Sequence, residues 1–159
     1  MQKIIRCGVL GILGALLIAL SSRCLAAELF IPKTKARTGQ QIQLPVMVDH
    51  LDNLAGIKLV ITYDPNILTY KNAEKTTETS PFMFIVNDKT PGKLIVVMAN
   101  PTGIKGDQIP LVMLIFDVKK EIGDVKQTWI AIPELQMKDD QLKDISHTVK
   151  TEPITITHS

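Results

Sequence analysis

The sequence has few of the residues on which active-site chemistry depends. Its 159 residues include two cysteines and three histidines, and only 4% are aromatic. His50, His147 and His158 are too widely spaced to indicate a metal site. No Gly-x-Ser-x-Gly, His-Glu-x-x-His or phosphate-binding glycine loop occurs. The sequence therefore predicts no enzyme, no cofactor and no metal, although carboxylates that pair only in space, as in glycoside hydrolysis, leave no motif.

Both cysteines lie in an N-terminal segment that has the layout of a secretory signal peptide. Lys3 and Arg6 precede an uncharged apolar run over residues 7–20, and small residues follow shortly afterwards. As a helix this run would rise about 21 Å, less than the ~30 Å hydrocarbon core of a bilayer. We therefore predict a signal peptide over 1–26, one domain over 28–158, and no spanning segment after cleavage.

Cys24 leaves a second interpretation of this segment open, because a lipoprotein would keep that cysteine as its first mature residue. The preceding Leu-Ser-Ser-Arg is only partly similar to a lipobox, since arginine stands where a small residue is expected. With either interpretation the protein is expected to be secreted, periplasmic or on the cell surface. No cysteine pair is left in the mature part, so its stability must come from core packing.

The apparent basicity of the chain also belongs to the leader. Lys3, Arg6 and Arg23 lie there without any acidic residue, and removing these three charges from the formal +2 leaves a net charge of −1. A nucleic-acid partner is not predicted, because no basic stripe remains.

The mature sequence consists of strand-like runs separated by turn signals, with no stripe at the helical period. The clearest strand has a buried set at Ile57, Leu59, Ile61 and Tyr63 and an outward set at Lys58, Val60 and Thr62. Asp64-Pro65-Asn66 ends it, because proline cannot donate to a ladder and presets a turn. About nine such runs, the longest over 110–118, predict an all-β sandwich or jelly roll.

Several segments together resemble cohesin domains, the β-sandwich receptors that hold dockerins in cellulosome-type assemblies. Asn53-Leu54-Ala55-Gly56 followed by Tyr63-Asp64-Pro65-Asn66 is the strongest match. The segment over 38–46 is similar to the family's early strand, and the segment over 103–118 to its middle loop and long strand. The resemblance implies a nine-stranded jelly-roll β-sandwich and non-catalytic, extracellular protein binding that is linked to polysaccharide binding and degradation.

The resemblance also implies a binding surface, because cohesins grip a dockerin with outward residues of their third, fifth, sixth and eighth strands. The candidate partner-binding residues are Lys58, Val60 and Thr62 in the third strand, Met83, Ile85 and Asn87 in the fifth, and Leu94, Val96 and Met98 in the sixth. The last two strands are apolar on both faces, so their outward sets are not fixed by alternation. An apolar outer face would suit a dockerin-bearing or other extracellular protein, unless loops or curved sheet ends cover it.

Two other binding functions remain open. A carbohydrate-binding module would contact polysaccharide through stacked aromatic rings, for which Trp129 is the candidate. A structural subunit of a cell-envelope assembly would instead pair with a neighbouring subunit. Asp139, Asp140 and Asp144 lack the spacing of an EF-hand loop, and we interpret them as a solvated turn.

Overall fold

The computed structural model describes residues 26–158, and within that range all regular structure is β-strand. Residues 1–25 of the predicted signal peptide, including Cys24, lie outside the described residues. No helix among residues 26–158 is long and apolar enough to cross a membrane. The strands are β1 (Ala27–Ile31), β2 (Thr34–Arg37), β3 (Gln41–Asp49), β4 (Leu51–Tyr63), β5 (Leu68–Lys75), β6 (Met83–Thr90), β7 (Lys93–Gly106), β8 (Ile109–Val118), β9 (Gln127–Thr128), β10 (Ile130–Asp139), β11 (His147–Thr151) and β12 (Ile154–Thr157).

Two sheets make up the body of the fold. One has five strands in the order β11-β1-β3-β8-β5, and the other has four in the order β10-β4-β7-β6. A small third sheet, β2-β12-β9, joins strands near the two ends of the described chain. All pairs are antiparallel except β1 with β11 and β12 with β2. The prediction of an all-β, jelly-roll-like sandwich is confirmed.

The twelve described strands arise from the nine predicted runs through three interruptions. The first predicted run, over 29–35, breaks at Pro32-Lys33, and the last, over 148–157, breaks at Glu152-Pro153. The eighth run, over 128–137, breaks at Trp129. Proline explains two of these breaks, because it cannot donate a ladder hydrogen bond. One segment is more regular than its sequence indicates, since the proline and glycines over 100–107 favour a loop. There β7 continues to Gly106 because it keeps pairing with β4.

The core lies between the two sheets and is formed by the alternating inward residues of their strands. Leu44 and Leu114 come from one sheet and Leu59 and Val96 from the other, and none of these four side chains is exposed. Burying such a side chain stabilises the fold by about 1.5–3 kcal/mol. Because the chain described here has no cysteine after Cys24, this packing carries the stability.

The Tyr-Asp-Pro-Asn stop forms the predicted turn after β4. The Asp64 Oδ1 atom accepts a hydrogen bond from the Asn66 amide at 2.8 Å, and the Asp64 carbonyl accepts one from Leu68 at 2.9 Å. The Tyr63 amide donates to the Gly92 carbonyl at 3.0 Å, which joins this turn to the Pro91-Gly92 hairpin between β6 and β7. The ring of Tyr63 packs edge-on against Phe116 of the other sheet, with ring centroids 5.0 Å apart.

Candidate partner-binding face

The four-stranded sheet has one side against the core and one side turned away from it, which we call the outer face. Cross-strand pairing places its residues in rows across β6, β7, β4 and β10. The outer face consists of Met83, Ile85 and Asn87 of β6, Lys93, Ile95, Val97 and Ala99 of β7, Gly56, Lys58, Val60 and Thr62 of β4, and Ala131, Glu134, Gln136 and Lys138 of β10. These four strands correspond to the fifth, sixth, third and eighth of the predicted nine.

The structure brings the candidates from β4 and β6 together on this face. Met83 and Ile85 are 56% and 54% exposed, which is unusual for large apolar side chains. Lys58 and Thr62 are half-buried, whereas Val60 is only 6% exposed between its cross-strand neighbours Ile95 and Glu134. Val60 is therefore mainly a packing residue of the outer face, and the accessible apolar surface lies on β6.

The candidates from β7 are wrong in their orientation. Leu94, Val96 and Met98 are at most 1% exposed and belong to the core. Val96 pairs with Leu59, which points inward, and this register fixes the phase of the whole strand. The outward residues of β7 are Lys93, Ile95, Val97 and Ala99. Alternation could not separate two apolar sets, but Lys93, next to the hairpin turn, was the one polar signal for the correct phase.

The outer face has a charged half on β4 and β10, and no residue of β10 was among the predicted candidates. Lys58 Nζ lies 2.6 Å from Glu134 Oε1, and Gln136 Nε2 donates to the same oxygen at 3.3 Å. Lys138 Nζ lies 2.7 Å from Asp144 Oδ1. Such exposed ion pairs stabilise a fold by only ~0–1 kcal/mol, so their main effect is to position charge beside the apolar half.

One end of the outer face opens into an apolar cavity of about 470 Å³, which we call the end groove. Its lining residues are Ala55, Gly56, Met83, Ala99, Asn100, Pro101, Lys138, Asp139, Asp140 and Leu142. Four of them, Met83, Ala99, Gly56 and Lys138, form a single row across the sheet. The end groove is thus continuous with the outer face.

The aspartates near the end groove already have protein partners. Asp139 Oδ1 accepts hydrogen bonds from the Gln141 and Lys143 amides at 2.9 and 2.8 Å, as expected for a tight turn. Asp140 Oδ1 accepts one from Asn53 Nδ2 at 2.6 Å, and Asp144 pairs with Lys138. The geometry is that of the solvated turn inferred from the sequence.

A different cluster, where β3 connects to β4 and β7 connects to β8, was not predicted from the sequence. Asp49, His50 and Asp107 place possible metal-ligating atoms within 4.8 Å of one another. Asp107 Oδ1 accepts a hydrogen bond from the His50 amide at 2.9 Å, and Asp49 accepts bonds from both the amide and the side chain of Gln108. His50 and Gln108 have φ values of 52° and 55°, so these carboxylates hold two strained turns. This role accounts for the cluster without a cation.

The alternative sugar-binding residue, Trp129, is 53% exposed at the break between β9 and β10. All the other aromatic side chains are buried or half-buried, among them Tyr63 and Tyr70, whose rings both contact Phe116. A sugar platform here would consist of a single ring.

These features define a class of protein: a jelly-roll-like β-sandwich module with one sheet face open and partly apolar. The family model described as "Cohesin domain" matches residues 27–156. The chain belongs to the cohesin family. Among curated proteins, none matches the sequence significantly.

Solved structures of low sequence identity share the fold. The sixth cohesin of scaffoldin B from Acetivibrio cellulolyticus, solved with a Cel5 dockerin mutant, has 19% identity and a TM-score of 0.76, covering 84% of this chain and 100% of that one. CaCohA2 from Clostridium acetobutylicum has 24% identity and a TM-score of 0.74, covering 83% and 91%. A non-cellulosomal cohesin from the archaeon Archaeoglobus fulgidus has 20% identity and a TM-score of 0.70, covering 85% and 92%.

Proposed function

We propose that this protein is a secreted, non-catalytic binding module whose outer face holds a dockerin-type protein, in an assembly linked to polysaccharide binding and degradation. Membership of the cohesin family supports the proposal, as do structural neighbours solved in complex with dockerins, such as the one from scaffoldin B. The observation that carries it is the accessible apolar half of the outer face, where Met83 and Ile85 are each more than half exposed.

Apolar surface of this kind favours a protein partner over a sugar. Exposed large apolar side chains that lie together, rimmed by charges, mark protein interfaces. Here the apolar strip on β6 and β7 adjoins the Lys58–Glu134 pair on β4 and β10. A partner can therefore bury apolar area in the middle and fix its orientation on the charges.

A capture experiment with defined dockerins tests this proposal. The purified protein is immobilised and challenged with a dockerin panel that includes the Cel5 dockerin, while insoluble polysaccharides are assayed in parallel. Ile85→Asp places a charge in the apolar strip, and the matched control Val149→Asp makes the same change on β11 of the other sheet, at a side chain that is 40% exposed. We expect capture of a dockerin that is lost with Ile85→Asp and kept with Val149→Asp.

The contrary outcome is equally specific. Retention on polysaccharide that disappears with Trp129→Ala, without capture of any dockerin, would assign the protein to carbohydrate-binding modules instead. Sequencing the mature N-terminus tests the proposed export. Ala27 or Glu28 as first residue supports the signal peptide over 1–26, and a lipid-modified Cys24 supports the lipoprotein.

A further inference from the structure

The end groove has a floor of small residues. In the row Met83–Ala99–Gly56–Lys138, glycine and alanine occupy the two central strands, while methionine and lysine stand at the sides. A Cβ added at Gly56 would meet only the Lys138 Cβ atom, at 3.7 Å, so the space above this glycine is open. The end groove therefore exists because Gly56 has no side chain and Ala99 has only a methyl group. A single substitution can fill it.

The rim of the end groove carries a strained residue with an exposed apolar side chain. Leu142 has a φ of 63°, in the left-handed region, and its side chain is 78% exposed. Its amide donates to the Asp139 carbonyl at 3.0 Å, which holds this conformation. A glycine would adopt the same φ without strain and would expose no apolar surface. The strain and the exposure together indicate that the leucine side chain contacts a partner and does not serve to stabilise the fold.

The end of the groove also has a small excess of negative charge, one unit over residues 138–144. Residues 138–144 contain three aspartates and two lysines, Lys138 and Lys143. Lys138 is already paired with Asp144. Asp139 and Asp140 each use Oδ1 for hydrogen bonds within the protein, and within the described chain their Oδ2 atoms accept none. Both residues line the groove, so each has one carboxylate oxygen left to accept a hydrogen bond from a cation.

We propose that the end groove is an anchor subsite for a partner protein that presents a large apolar side chain, such as leucine or methionine, next to an arginine or lysine. The inference deepens the proposed function and rests on it. The apolar side chain enters between Met83 and Leu142 above Gly56, and the cationic neighbour reaches Asp139 and Asp140. A cavity of about 470 Å³ is large enough for such an anchor.

Short peptides test the chemistry of the groove directly. The probes are acetyl-Arg-Leu-Leu-Arg-amide and acetyl-Glu-Leu-Leu-Glu-amide, titrated into isotope-labelled protein to millimolar concentration. We expect the basic peptide to shift the amide signals of Gly56, Ala99 and Leu142 saturably. The acidic peptide should bind at least about tenfold more weakly, because it brings carboxylates to Asp139 and Asp140. Equal binding of the two peptides, or no saturable shift at these residues, would overturn the proposal.

Two variants separate a loss of binding in the groove from a loss of folding stability. Gly56→Val fills the floor with a residue favoured in strands, and Leu142→Gly removes the rim side chain while relieving strain. We expect each to weaken basic-peptide binding about tenfold, the loss of one interface anchor, with the thermal midpoint unchanged or raised. Val149→Asp, on β11 of the other sheet, should leave peptide binding unchanged. Unaltered binding by Gly56→Val would contradict the inference.

The same variants distinguish failure of this inference from failure of the proposed function. If Ile85→Asp abolishes dockerin capture while Gly56→Val and Leu142→Gly leave it intact, the outer face binds the partner and the end groove does not. If the basic peptide binds the groove but no dockerin is captured, the groove does bind an apolar side chain beside a cation. The proposal of a dockerin-type partner then fails.

Discussion

Gly103 of β7 lies directly against Asn53 of β4. A Cβ atom at position 103 would overlap Asn53 Oδ1 and approach the Asn53 carbonyl carbon to 2.8 Å. Asn53 itself has a φ of 58°, and its Nδ2 atom donates to Asp140 at the end groove. This contact joins β7, β4 and the turn after β10. Asn53 and Gly103 come from two of the segments that resemble the cohesin family, and this contact brings those segments together.

Gly103→Ala is expected to lower the free energy of unfolding by about 1–3 kcal/mol, the usual cost of forcing atoms into a filled space. Denaturant unfolding at constant m-value measures it. Gly56→Ala is the matched control, because the added Cβ has room there and alanine in a strand is about 0.5–1 kcal/mol better than glycine. Equal stability of the two variants would mean that the contact between positions 103 and 53 is not tight.

The hairpin glycine before β7 gives a second prediction. Gly92 has a φ of 80°, and a Cβ there would lie 3.0 Å from the Tyr63 carbonyl oxygen and 3.1 Å from Pro65 Cδ. Gly123 also has a positive φ, of 60°, but nothing lies within 4 Å of its Cβ position. Both alanine variants should lose about 1–2 kcal/mol from backbone strain. Gly92→Ala should lose more, and thermal unfolding of the pair isolates the steric part.

Thr79 is the buried hydrogen-bonding centre of the loop between β5 and β6. Its side chain is not exposed, its hydroxyl donates to the Leu111 carbonyl at 2.8 Å, and its oxygen accepts from the Thr76 amide at 3.0 Å. Thr79→Val keeps the shape but leaves both groups unpaired, so we expect a loss of about 1–3 kcal/mol in unfolding free energy. Thr79→Ser, which retains the hydroxyl, should lose less. A valine variant as stable as the serine variant would show that water satisfies these groups.

Because of Tyr70, the free energy of unfolding is expected to fall at alkaline pH. Burial, together with the nearby Asp88 carboxylate and Tyr63, raises the pKa of Tyr70 to about 12. Between its ordinary pKa, about 10, and this value, the unfolded chain has lost the phenol proton while the folded chain keeps it. Deprotonation therefore favours unfolding, and the contribution of Tyr70 is lost as pH rises through this range. We expect the unfolding free energy of the wild type to fall more steeply than that of Tyr70→Phe, measured by denaturant titration from pH 9 to about 12.

The outward residues of a strand could be predicted from the sequence only where polar and apolar residues alternate along it. In β4 the polar residues Lys58 and Thr62 marked the outward side, and the structure has them there. In β7, Leu94 to Met98 are all apolar, so only pairing with β4 and β6 could decide which side faces the core. The predicted outward residues of β6, Met83, Ile85 and Asn87, also lie on the outer face.

Contacts between distant segments could not be predicted from the sequence for a different reason. The pairing of Lys58 with Glu134 spans 76 residues, and that of His50 with Asp107 spans 57. Neither has a local pattern, because the spacing follows from sheet order and not from the period of a strand. The end groove likewise depends on Gly56 and Ala99 becoming neighbours through register.

The parallel pairing of β1 with β11 and of β2 with β12 sets the order in which this domain can be completed during synthesis. The first two strands find their final neighbours only when residues 147–157 have been made. Until then β1 has β3 alone, and β2 has no partner strand among the described residues. Because contacts between chain ends close the largest loops, this step is expected to be late and slow. A chain stopped before residue 147 would carry most of both sheets and still leave its first strands open to pairing with other molecules.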